Sequence, residues 1–541
     1  MSSSTATDPV KNDTEITGNK TPSSYDSVPY ASFPYPYSSH ERMHTIGKLF
    51  GMAPVDFKKA RVLELGCASG GNILQLASQF PGCEFTGIDS SQVQIDMAMT
   101  HVRNLGLKNM NFICQSILDI TDKLGKFDYI IIHGILSWVP PAVQDKIFAV
   151  CNTNLSQNGI AYISYNTYPG WNFIKSLRDM MLYHTANFAE PARKITEAAN
   201  LLEFIRKANP AGSEHNPYLQ VITSELKMLE KVNPSYLYHD HLEEHNEPCY
   251  FHRFMQKAHA NSLQYLGEVS LSSMFLGNLA QEAATTLGQI ANDIVRVEQY
   301  MDFIRNRRFR CTLLVHDNVA INRNLNPRIL RDFCLTTSLR TDAGQDDADL
   351  SSAQPVAFKF PTGDTTFTSG AREIIAALML LIKQGNKPIA TSELLHHVRE
   401  KLGDKINSNS EDMILSAFLR LVFADVISVY SDAGNFTNKV SGTPMASAYA
   451  RYQATHNNWV TSQKSEKTDI DIFTRILLQY LDGTNDIENI RKKMFMHFEK
   501  NELQINENGR QIFDREEISR RLEPLIDNYL LNLAARAILV S

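Results

Sequence analysis

The sequence lacks the features that mark secreted, membrane-spanning and strongly basic proteins. Its 541 residues include seven cysteines, an odd number without a Cys-x-x-Cys pair, which is typical of reduced thiols. The longest apolar runs are too short to span a bilayer, and residues 1–6 show no apolar stretch of a signal peptide. With 53 basic and 59 acidic residues the net charge is −6, which gives no electrostatic argument for a nucleic-acid partner. We therefore expect a cytoplasmic protein with no membrane insertion and no nucleic acid as its partner.

The composition divides the chain into five parts, since 541 residues exceed what a single hydrophobic core supports. Residues 1–24 are almost all small or polar, which predicts a disordered tail. In residues 25–185 short apolar runs alternate with helical periods, a pattern typical of an α/β unit with a parallel sheet. The rest of the chain predicts a mainly helical part over residues 186–305, an α+β and winged-helix-like part over 306–435, and a helical, winged-helix-like part over 436–541.

The winged-helix expectation comes from the order of elements after residue 369. Three short helices, each with one apolar face, are followed by the apolar strand 426–430. Winged helices often bind DNA, so a nucleic-acid-binding regulator stays open as a functional class. Residues 369–430 contain equal numbers of basic and acidic side chains, however, whereas DNA binding normally needs a basic face. Protein docking is therefore the function that we expect of the C-terminal parts.

The stretch with the most chemical information is residues 61–72, RVLELGCASGGN. An apolar strand runs into a turn of small residues, and a helix with one apolar face follows. Small residues in the turn let a bound nucleoside approach the backbone, and the helix N-terminus offers unpaired N–H groups. About twenty residues farther on, the next strand ends in Asp89, whose carboxylate can accept hydrogen bonds from both ribose hydroxyls. Ser91 then caps the following helix, with Gln94 completing a capping box.

Two cofactors use this geometry. Gly66-x-Ala68-x-x-Gly71 loosely matches the dinucleotide fingerprint. Glu64 favours the other cofactor, because Glu-x-Gly-x-Ala-x-Gly resembles motif I of class I S-adenosylmethionine-dependent methyltransferases. Farther along the chain, three segments resemble the third, fourth and fifth strands of that family, namely residues 111–120, 127–133 and 158–165. The resemblance implies an α/β fold in which residues 25–185 form a Rossmann-like class I methyltransferase sheet.

The same resemblance implies S-adenosylmethionine as the cofactor and indicates which residues bind it. In this sequence they are Glu64, Gly66, Ala68, Gly70, Asn72, Asp89, Ser90, Ser116, Ile117 and His133, with Tyr30 from the N-terminal segment. The family often has aspartate at the position of Ser116, so the expected contact to the adenine amino group departs from the family pattern here.

The substrate side is indicated by longer motifs. Residues 133–141 lack the Asn/Asp-Pro-Pro-Tyr signature of many adenine and glutamine N-methyltransferases. Residues 164–171 (SYNTYPGW) and 236–248 (YLYHDHLEEHNEP), with the aromatic and proline-rich stretch 25–37, resemble bacterial methyltransferases that carry a methyltransferase regulatory domain. Among these, the sequence resembles the rickettsial lysine methyltransferases of outer membrane protein B. The resemblance implies methylation of lysine side chains of a bacterial outer membrane protein. Methylation of a small molecule stays an alternative, because the core is common to both.

Residues 239–247 concentrate histidine, aspartate and glutamate side chains. The segment 241–245, HLEEH, matches a zinc-peptidase pattern, but Pro248 follows too soon for a helix that presents both histidines, and we expect no metal. A solvated acidic loop is the plain alternative. We favour a lid over the active site, formed by residues 236–248 together with residues 25–40, in which the carboxylates of the first segment attract a cationic lysine. The candidates for catalysis are Asp240, His239, Tyr165 and Trp138.

Overall fold

The computed structural model describes residues 32–209, 216–230, 234–243, 245–341, 354–403, 407–507 and 510–540. The predicted tail over residues 1–24 and the cofactor candidate Tyr30 lie outside these described residues. Within the described ranges, no helix is long and apolar enough to cross a membrane.

A seven-stranded mixed sheet forms the centre of the N-terminal half. Its strands are β1 (Arg61–Leu65), β2 (Glu84–Asp89), β3 (Met110–Cys114), β4 (Phe127–Ile132), β5 (Leu155–Asn166), β6 (Leu263–Glu268) and β7 (Phe309–His316). Their order is β3-β2-β1-β4-β5-β7-β6, with β1 to β5 parallel and β7 antiparallel to both of its neighbours. The Rossmann-like class I sheet predicted from the sequence is thereby confirmed, and its first five strands coincide with the predicted apolar runs.

Burial on both faces explains why these strands are unbroken apolar runs in the sequence. Val62 and Leu63 of β1 and Ile130 and Ile131 of β4 are completely buried. Four helices flank the sheet, α1 (His40–Leu49), α2 (Ile73–Gln79), α3 (Gln92–Leu105) and α4 (Pro141–Asn154). Each parallel crossover returns the chain to the same edge, so the carboxyl ends of β1, β2, β4 and β5 lie together.

Two strands of the sheet come from residues outside the predicted α/β part. β6 lies within residues 186–305, which the sequence predicts to be mainly helical, and β7 lies within residues 306–435. A segment of six residues is too short for the spacing of its apolar residues to distinguish a strand from a helix. Its antiparallel pairing with β7, which begins with Leu263 opposite His316 and shifts register between Tyr265 and Gly267, decides the conformation. The sheet therefore extends across the predicted boundaries at residues 185 and 305.

A layer of helices follows β5 and has its own small core. It contains α5 (Trp171–Thr185), α6 (Pro191–Ala208), α7 (Pro217–Leu229) and α8 (Pro234–His241). Leu177, Met181, Leu202 and Ile222 are fully buried in that core. The sequence predicts an irregular lid over residues 236–248, whereas the structure has a helix as far as His241 and irregular chain after it. Histidine and aspartate interrupt the apolar period of this helix because they face a polar cavity, described below.

Three further helices, α9 (Phe251–Ala260), α10 (Gln281–Ile290) and α11 (Ile294–Arg305), lead to β7. A first C-terminal module then contains β8 (Cys334–Thr337), β9 (Val356–Lys359), β10 (Thr366–Ser369), α12 (Arg372–Gln384), β11 (Ile389–Ala390), α13 (Thr391–Leu402), α14 (Ser408–Val422) and β12 (Ile427–Tyr430). Its three helices and the strand β12 are the elements that the sequence predicts for a winged helix, and β11, β8 and β12 form its small sheet. The module shares one continuous hydrophobic core with one of the two faces of the large sheet.

The second C-terminal module has a separate core. It contains β13 (Met445–Ala446), α15 (Ala448–His456), β14 (Trp459–Thr461), β15 (Lys467–Asp469), α16 (Ile472–Tyr480), α17 (Ile487–Glu499), β16 (Asn506–Glu507), β17 (Arg510–Gln511), α18 (Arg515–Ala535) and β18 (Leu539–Val540). The strands β14 and β15 form a hairpin that projects toward the N-terminal half, where it contacts Phe33.

A buried ion cluster joins the last two strands of the large sheet to α11. The Arg310 guanidinium on β7 donates to Glu268 Oε1 at 2.6 Å, Glu298 Oε2 at 3.0 Å and Asp302 Oδ2 at 2.9 Å. All four side chains are buried, and Arg307 adds a second cation 3.1 Å from Asp302. Because buried carboxylates without a cation are strongly unfavourable, Arg310 sets how β6, β7 and α11 pack together.

We expect Arg310→Ala to lower the free energy of unfolding by about 3–5 kcal/mol, because it leaves three buried carboxylates with one cation. Urea unfolding followed by tryptophan fluorescence measures the loss. Arg328→Ala, which breaks the exposed pair with Asp412, is the matched control and should leave the urea midpoint unchanged. A midpoint for Arg310→Ala equal to that of the control would contradict the structural role of the cluster.

Candidate functional site

A cavity of about 520 Å³ opens at the edge of the sheet where β1, β2, β4 and β5 end. One part of its wall consists of strand ends and the turn after β1, and the opposite part consists of α5, α7, α8 and the start of β7. Two residues of the N-terminal segment, Ser32 and Tyr35, line its mouth. Ligands bind at this edge in open α/β sheets, so the cavity is the candidate active site.

The turn after β1 is shaped by small residues with left-handed backbone. Gly66 has φ +71°, and a Cβ atom there would lie 2.2 Å from Ile135 Cδ1. Ala68 is also left-handed, with φ +47°. The turn therefore needs glycine at position 66, and it brings backbone rather than side chains to the cavity wall.

Asp89 holds this turn against the end of β2. Its Oδ2 accepts a hydrogen bond from the Ala68 backbone N–H at 2.9 Å, and its Oδ1 accepts one from the Ser91 N–H at 2.9 Å. The carboxylate also lines the cavity, and each of its oxygens can accept a second hydrogen bond. Asp89 can thus support the turn and accept the hydroxyl groups of a ribose together.

A buried carboxyl group, Glu64, lies at the end of β1. Its Oε1 accepts a hydrogen bond from Asn72 Nδ2 at 2.6 Å. Burial raises the pKa of Glu64 to about 8, with a further upward contribution from the charge of Asp89 and an opposing effect of the Asn72 hydrogen bond. At pH 7 this carboxyl group is therefore largely protonated.

Residues 32–38 close one side of the turn. The Gly71 N–H donates to Ser32 Oγ at 2.7 Å, and the Tyr35 N–H donates to Asn72 Oδ1 at 3.0 Å. A Cβ atom at Gly71 would lie 2.3 Å from the Ser32 carbonyl oxygen, so only glycine permits this approach. The described half of the predicted lid, from residue 32 onward, thus lies across the turn that begins the candidate cofactor site.

His133 follows β4 and forms the floor next to this segment. Its ring lies against that of Tyr35, with centroids 3.7 Å apart and planes inclined at 33°, and its Nδ1 lies 2.9 Å from the Tyr162 hydroxyl. Burial lowers the pKa of His133 to about 4, so the imidazole is neutral at pH 7. A neutral ring that lies against a tyrosine can help to position a ligand, and it adds no positive charge to the cavity.

Aromatic side chains separate the two ends of the cavity. The Trp138 and Trp171 rings meet edge to face with centroids 6.3 Å apart, and Trp171 Nε1–H donates to Asn246 Oδ1 at 2.8 Å. The Arg178 guanidinium lies 5.9 Å from the Trp138 ring and donates to the Glu243 carbonyl oxygen. These contacts fix the irregular chain after α8 against the end of the sheet.

The far wall carries titratable groups of α7 and α8. His241 Nε2 and Glu225 Oε1 form a buried pair 2.8 Å apart, and His239 Nδ1 lies 3.5 Å from Glu243 Oε2. Burial raises the pKa of Asp240 to about 6, against the opposing charges of His241, His239 and Arg178. Asp240 is therefore mainly ionised at pH 7 and can accept a proton near neutral pH.

Several buried polar atoms at the cavity have no hydrogen-bond partner among the described residues. They are Glu64 Oε2, Asn166 Nδ2 and both polar atoms of the Gln94 side chain. Buried polar atoms are normally paired, so their convergence on one cavity indicates a polar ligand. The donors and acceptors present fit the amino-acid and ribose groups of S-adenosylmethionine.

The structure brings most of the predicted residues to this cavity. Its wall includes Glu64, Gly66, Ala68, Asn72, Asp89 and His133 from the predicted cofactor set, and Asp240, His239 and Trp138 from the predicted catalytic set. Four other cofactor candidates lie outside the wall, namely Gly70, Ser90, Ser116 and Ile117. Ser116 Oγ instead caps the turn that follows β3, accepting from the Leu118 N–H at 3.3 Å.

Tyr165 is the catalytic candidate that the structure does not bring to the cavity. Its ring stacks on Phe254 at 4.2 Å in the core beneath α9, and its hydroxyl lies 3.2 Å from Thr312 Oγ1. Side chains alternate between the two faces of a strand, so Asn166 points into the cavity and Tyr165 points away from it. Asn166 is therefore the polar group that β5 contributes.

Sequence reasoning also missed Glu225, Gln94 and Phe309, which line the cavity. Glu225 is an isolated acidic residue on an apolar helix, and Phe309 begins a strand that the sequence did not assign to this sheet. Gln94 was singled out in the sequence, but only as the partner of Ser91 in a predicted capping box. The structure has only half of that box, because Ser91 Oγ accepts from the Gln94 N–H at 3.3 Å while the Ser91 N–H donates to Asp89.

The histidines of the zinc-peptidase pattern do not share a helix. α8 ends at His241, whose Nε2 is paired with Glu225, and His245 lies in the irregular chain beyond it. Within the described ranges, no group of three or more His, Cys, Asp or Glu side chains is arranged to hold a metal ion.

Family models match three parts of the chain. Residues 56–209 match a methyltransferase domain, residues 233–316 a predicted methyltransferase regulatory domain, and residues 443–538 the C-terminal winged helix domain of PKMT proteins.

Relatives of this chain are found in Rickettsia. Rickettsia prowazekii RP789 is 40% identical over 522 residues, which cover 95% of this chain and 93% of that protein. A second R. prowazekii protein, RP028, is 39% identical over 243 residues, 45% of this chain and 96% of the relative. The structure of PKMT2 from Rickettsia typhi in complex with AdoHcy superimposes with a TM-score of 0.87 at 33% identity and covers 95% of this chain and 100% of that one. With the methyltransferase domain, this complex identifies S-adenosylmethionine as the cofactor.

We expect Asp89→Ala to weaken binding of AdoHcy by about 1.5–3 kcal/mol, the range for hydrogen bonds to a charged group. Isothermal titration calorimetry with AdoHcy measures the loss, and NAD should not bind to either protein. Asp96→Ala removes an exposed carboxylate of α3 that accepts a hydrogen bond from Gln92, and this variant should bind AdoHcy as the unsubstituted protein does. Unchanged affinity in Asp89→Ala, or tight binding of NAD, would refute the assignment of Asp89.

Proposed function

Because this chain belongs to the methyltransferase family that contains PKMT2 of Rickettsia typhi, we propose that it methylates lysine side chains of a protein substrate. The observation that carries the proposal is the far wall of the cavity. There Asp240, His239 and the Glu225–His241 pair face the cavity that Glu64 and Asp89 line at the opposite end. An acidic wall at that place suits a substrate that arrives as a cation.

The cofactor end is assigned to the turn after β1 and the end of β2. We assign the ribose to Asp89 and the amino-acid part to the neighbourhood of Glu64, Asn72 and Gln94, whose buried polar atoms include unpaired ones. When bound, the cofactor supplies a methyl group that its sulfonium already activates. The main task of the protein is therefore to align an amine with that methyl group.

The amine must first lose a proton. A lysine with the ordinary pKa of about 10.4 needs about 4.6 kcal/mol to become neutral at pH 7. The Trp138 and Trp171 rings give the cavity an apolar wall, and desolvation of an ammonium beside such a wall lowers that cost. Asp240 is the proposed proton acceptor, since its pKa of about 6 keeps it ionised at pH 7 while it stays close enough to the working pH to release the proton again.

We expect Asp240→Asn to reduce kcat about 10²- to 10⁴-fold, the usual range for removal of a general base. In the unsubstituted protein the rate should fall as the pH drops below about 6, because protonated Asp240 cannot accept a proton. The Asn variant should lose this pH dependence. Asp179→Asn, an exposed carboxylate on α5 paired with Lys175, is the control for general charge effects. Equal rates in both variants would eliminate Asp240 as the base.

The substrate that we propose is a bacterial surface protein similar to outer membrane protein B. The supporting observations are the motif resemblance over residues 164–171 and 236–248 and the C-terminal winged-helix modules, which offer docking surface beyond the cavity. A protein substrate makes such surface useful, because contacts remote from the reacting atom supply binding energy.

Labelled cofactor distinguishes the protein substrate from a metabolite. The enzyme is incubated with an outer membrane protein B fragment, lysine peptides from it, and a panel of small amines and phenols. We expect label on protein lysines, located by mass spectrometry, with the intact fragment methylated at lower concentration than the peptides. Methylation of a panel compound with every protein lysine untouched would replace the lysine proposal by the small-molecule alternative. Asp89→Ala should abolish label in each arm at low cofactor concentration, which shows that the activity belongs to this site.

A further inference from the structure

Residues 32–38 contact two parts of the protein that are far apart in the chain. On one side they reach the turn of the cofactor site, and on the other side they reach the hairpin β14–β15 of the second C-terminal module. Ser32 and Tyr35 line the cavity. Phe33, between them, faces the hairpin. The segment therefore lies between the cofactor cavity and a module that contributes no residue to the cavity wall in the described part of the chain.

The contact with the hairpin is aromatic and cationic. The Phe33 ring lies 5.3 Å from the Trp459 ring at an angle of 57°. Lys467 Nζ lies 5.3 Å from the centre of the Phe33 ring and 5.9 Å from that of Trp459. Each contact of this kind stabilises by less than the burial of a whole apolar side chain, and here the contacts act on Phe33, the neighbour of Ser32 at the cavity.

The hairpin is itself held in a defined position. Trp459 pairs with Asp469 and Thr461 with Lys467 across the two strands. The Ser462 N–H donates to the Glu466 carbonyl oxygen at 2.9 Å. The Thr461 N–H donates to Gln453 Oε1 of α15 at 2.7 Å, and Gln453 Nε2 donates to Thr461 Oγ1 at 3.0 Å. Trp459 and Lys467 thus present a rigid surface to Phe33.

On the cofactor side, the segment makes hydrogen bonds to the turn, from the Gly71 N–H to Ser32 Oγ and from both the Tyr35 N–H and the Ser38 hydroxyl to Asn72 Oδ1, and the Tyr35 and His133 rings lie against each other. Holding seven residues in one conformation costs considerable backbone entropy, which a few contacts offset only in part. An anchor on the opposite side reduces the entropy that cofactor binding has to overcome, which is the usual effect of preorganisation.

We propose that Trp459 and Lys467 are positioning residues for the cofactor. They hold Phe33, and through it they keep Ser32 and Tyr35 at the mouth of the cofactor cavity. The second C-terminal module thereby contributes to cofactor affinity without touching the cofactor. Because binding is reciprocal, the cofactor in turn favours the docked position of the hairpin.

The experiment is calorimetric titration of full-length variants with AdoHcy. Trp459→Ala should raise the Kd about three- to tenfold, the size expected for loss of one aromatic pair with its cation. Phe33→Ala should raise it by a similar factor. The double variant should bind no more weakly than the weaker single one, since both substitutions break the same contact. Trp459→Phe keeps a ring opposite Phe33 and should restore the Kd to within about twofold.

Tyr452→Phe is the matched control for general loosening of the module. The Tyr452 hydroxyl lies 2.9 Å from His101 Nδ1 and 3.2 Å from Asn104 Nδ2 on α3, so it joins the same module to the large sheet without contacting residues 32–38. Its removal should leave the Kd for AdoHcy unchanged.

Three results would overturn the positioning role. They are an unchanged Kd in Phe33→Ala, additive losses in the double variant, and a loss in Tyr452→Phe as large as that in Trp459→Ala. Thermal unfolding shows whether the second C-terminal module stays folded in Trp459→Ala. If it does not, the Kd of Phe33→Ala decides whether the contact supports cofactor binding. Since AdoHcy binding needs no substrate, the outcome is independent of the lysine specificity proposed above.

Discussion

The parallel pairing of β1 with β2 and β4, and of β4 with β5, brings the polar groups of the site to one edge of the sheet. Glu64, Asp89, His133 and Asn166 each stand at or just after the carboxyl end of a different strand. Their register is set by apolar residues buried on both faces of the sheet. A slip of one residue would turn a strand's side chains to the opposite face and remove its polar group from the cavity. The packing of the hydrophobic core therefore brings the polar groups of the site together.

Burial acts differently on the two carboxyl groups at opposite ends of the cavity. It raises the pKa of Glu64 to about 8 and that of Asp240 to about 6, so at pH 7 the first is largely protonated and the second largely ionised. Asp240 is less shifted because histidines and Arg178 lie near it, whereas the neighbour of Glu64 is the carboxylate of Asp89. Two similar side chains thus take different protonation states because their surroundings differ.

The residues around α1 join the two halves of the chain. Phe33 meets Trp459 of the second C-terminal module, while His44 Nδ1 lies 2.7 Å from Ser431 Oγ of the first, and Lys58 pairs with Asp432. Contacts to both modules are therefore concentrated next to the cofactor turn. The modules thus contact the surroundings of the cofactor site, although none of their described residues lines the cavity.

The sequence alone predicted the turn after β1 and the carboxylate of Asp89 at the cavity, because a strand, a turn, a helix and the next strand are consecutive and each has a local signal, whereas Gly70, Ser90, Ser116 and Ile117 lie outside the cavity wall. It also determined the class of fold and the helices of the first C-terminal module, whose apolar periods are long enough to recognise. The tertiary structure was needed to show that β6 and β7 complete the sheet, that Tyr165 faces the core while Asn166 faces the cavity, that Glu225 lines the cavity and that Trp459 meets Phe33. Each of these depends on pairing between residues far apart in the chain, or on which face of a strand is covered, and no local period of side chains encodes either.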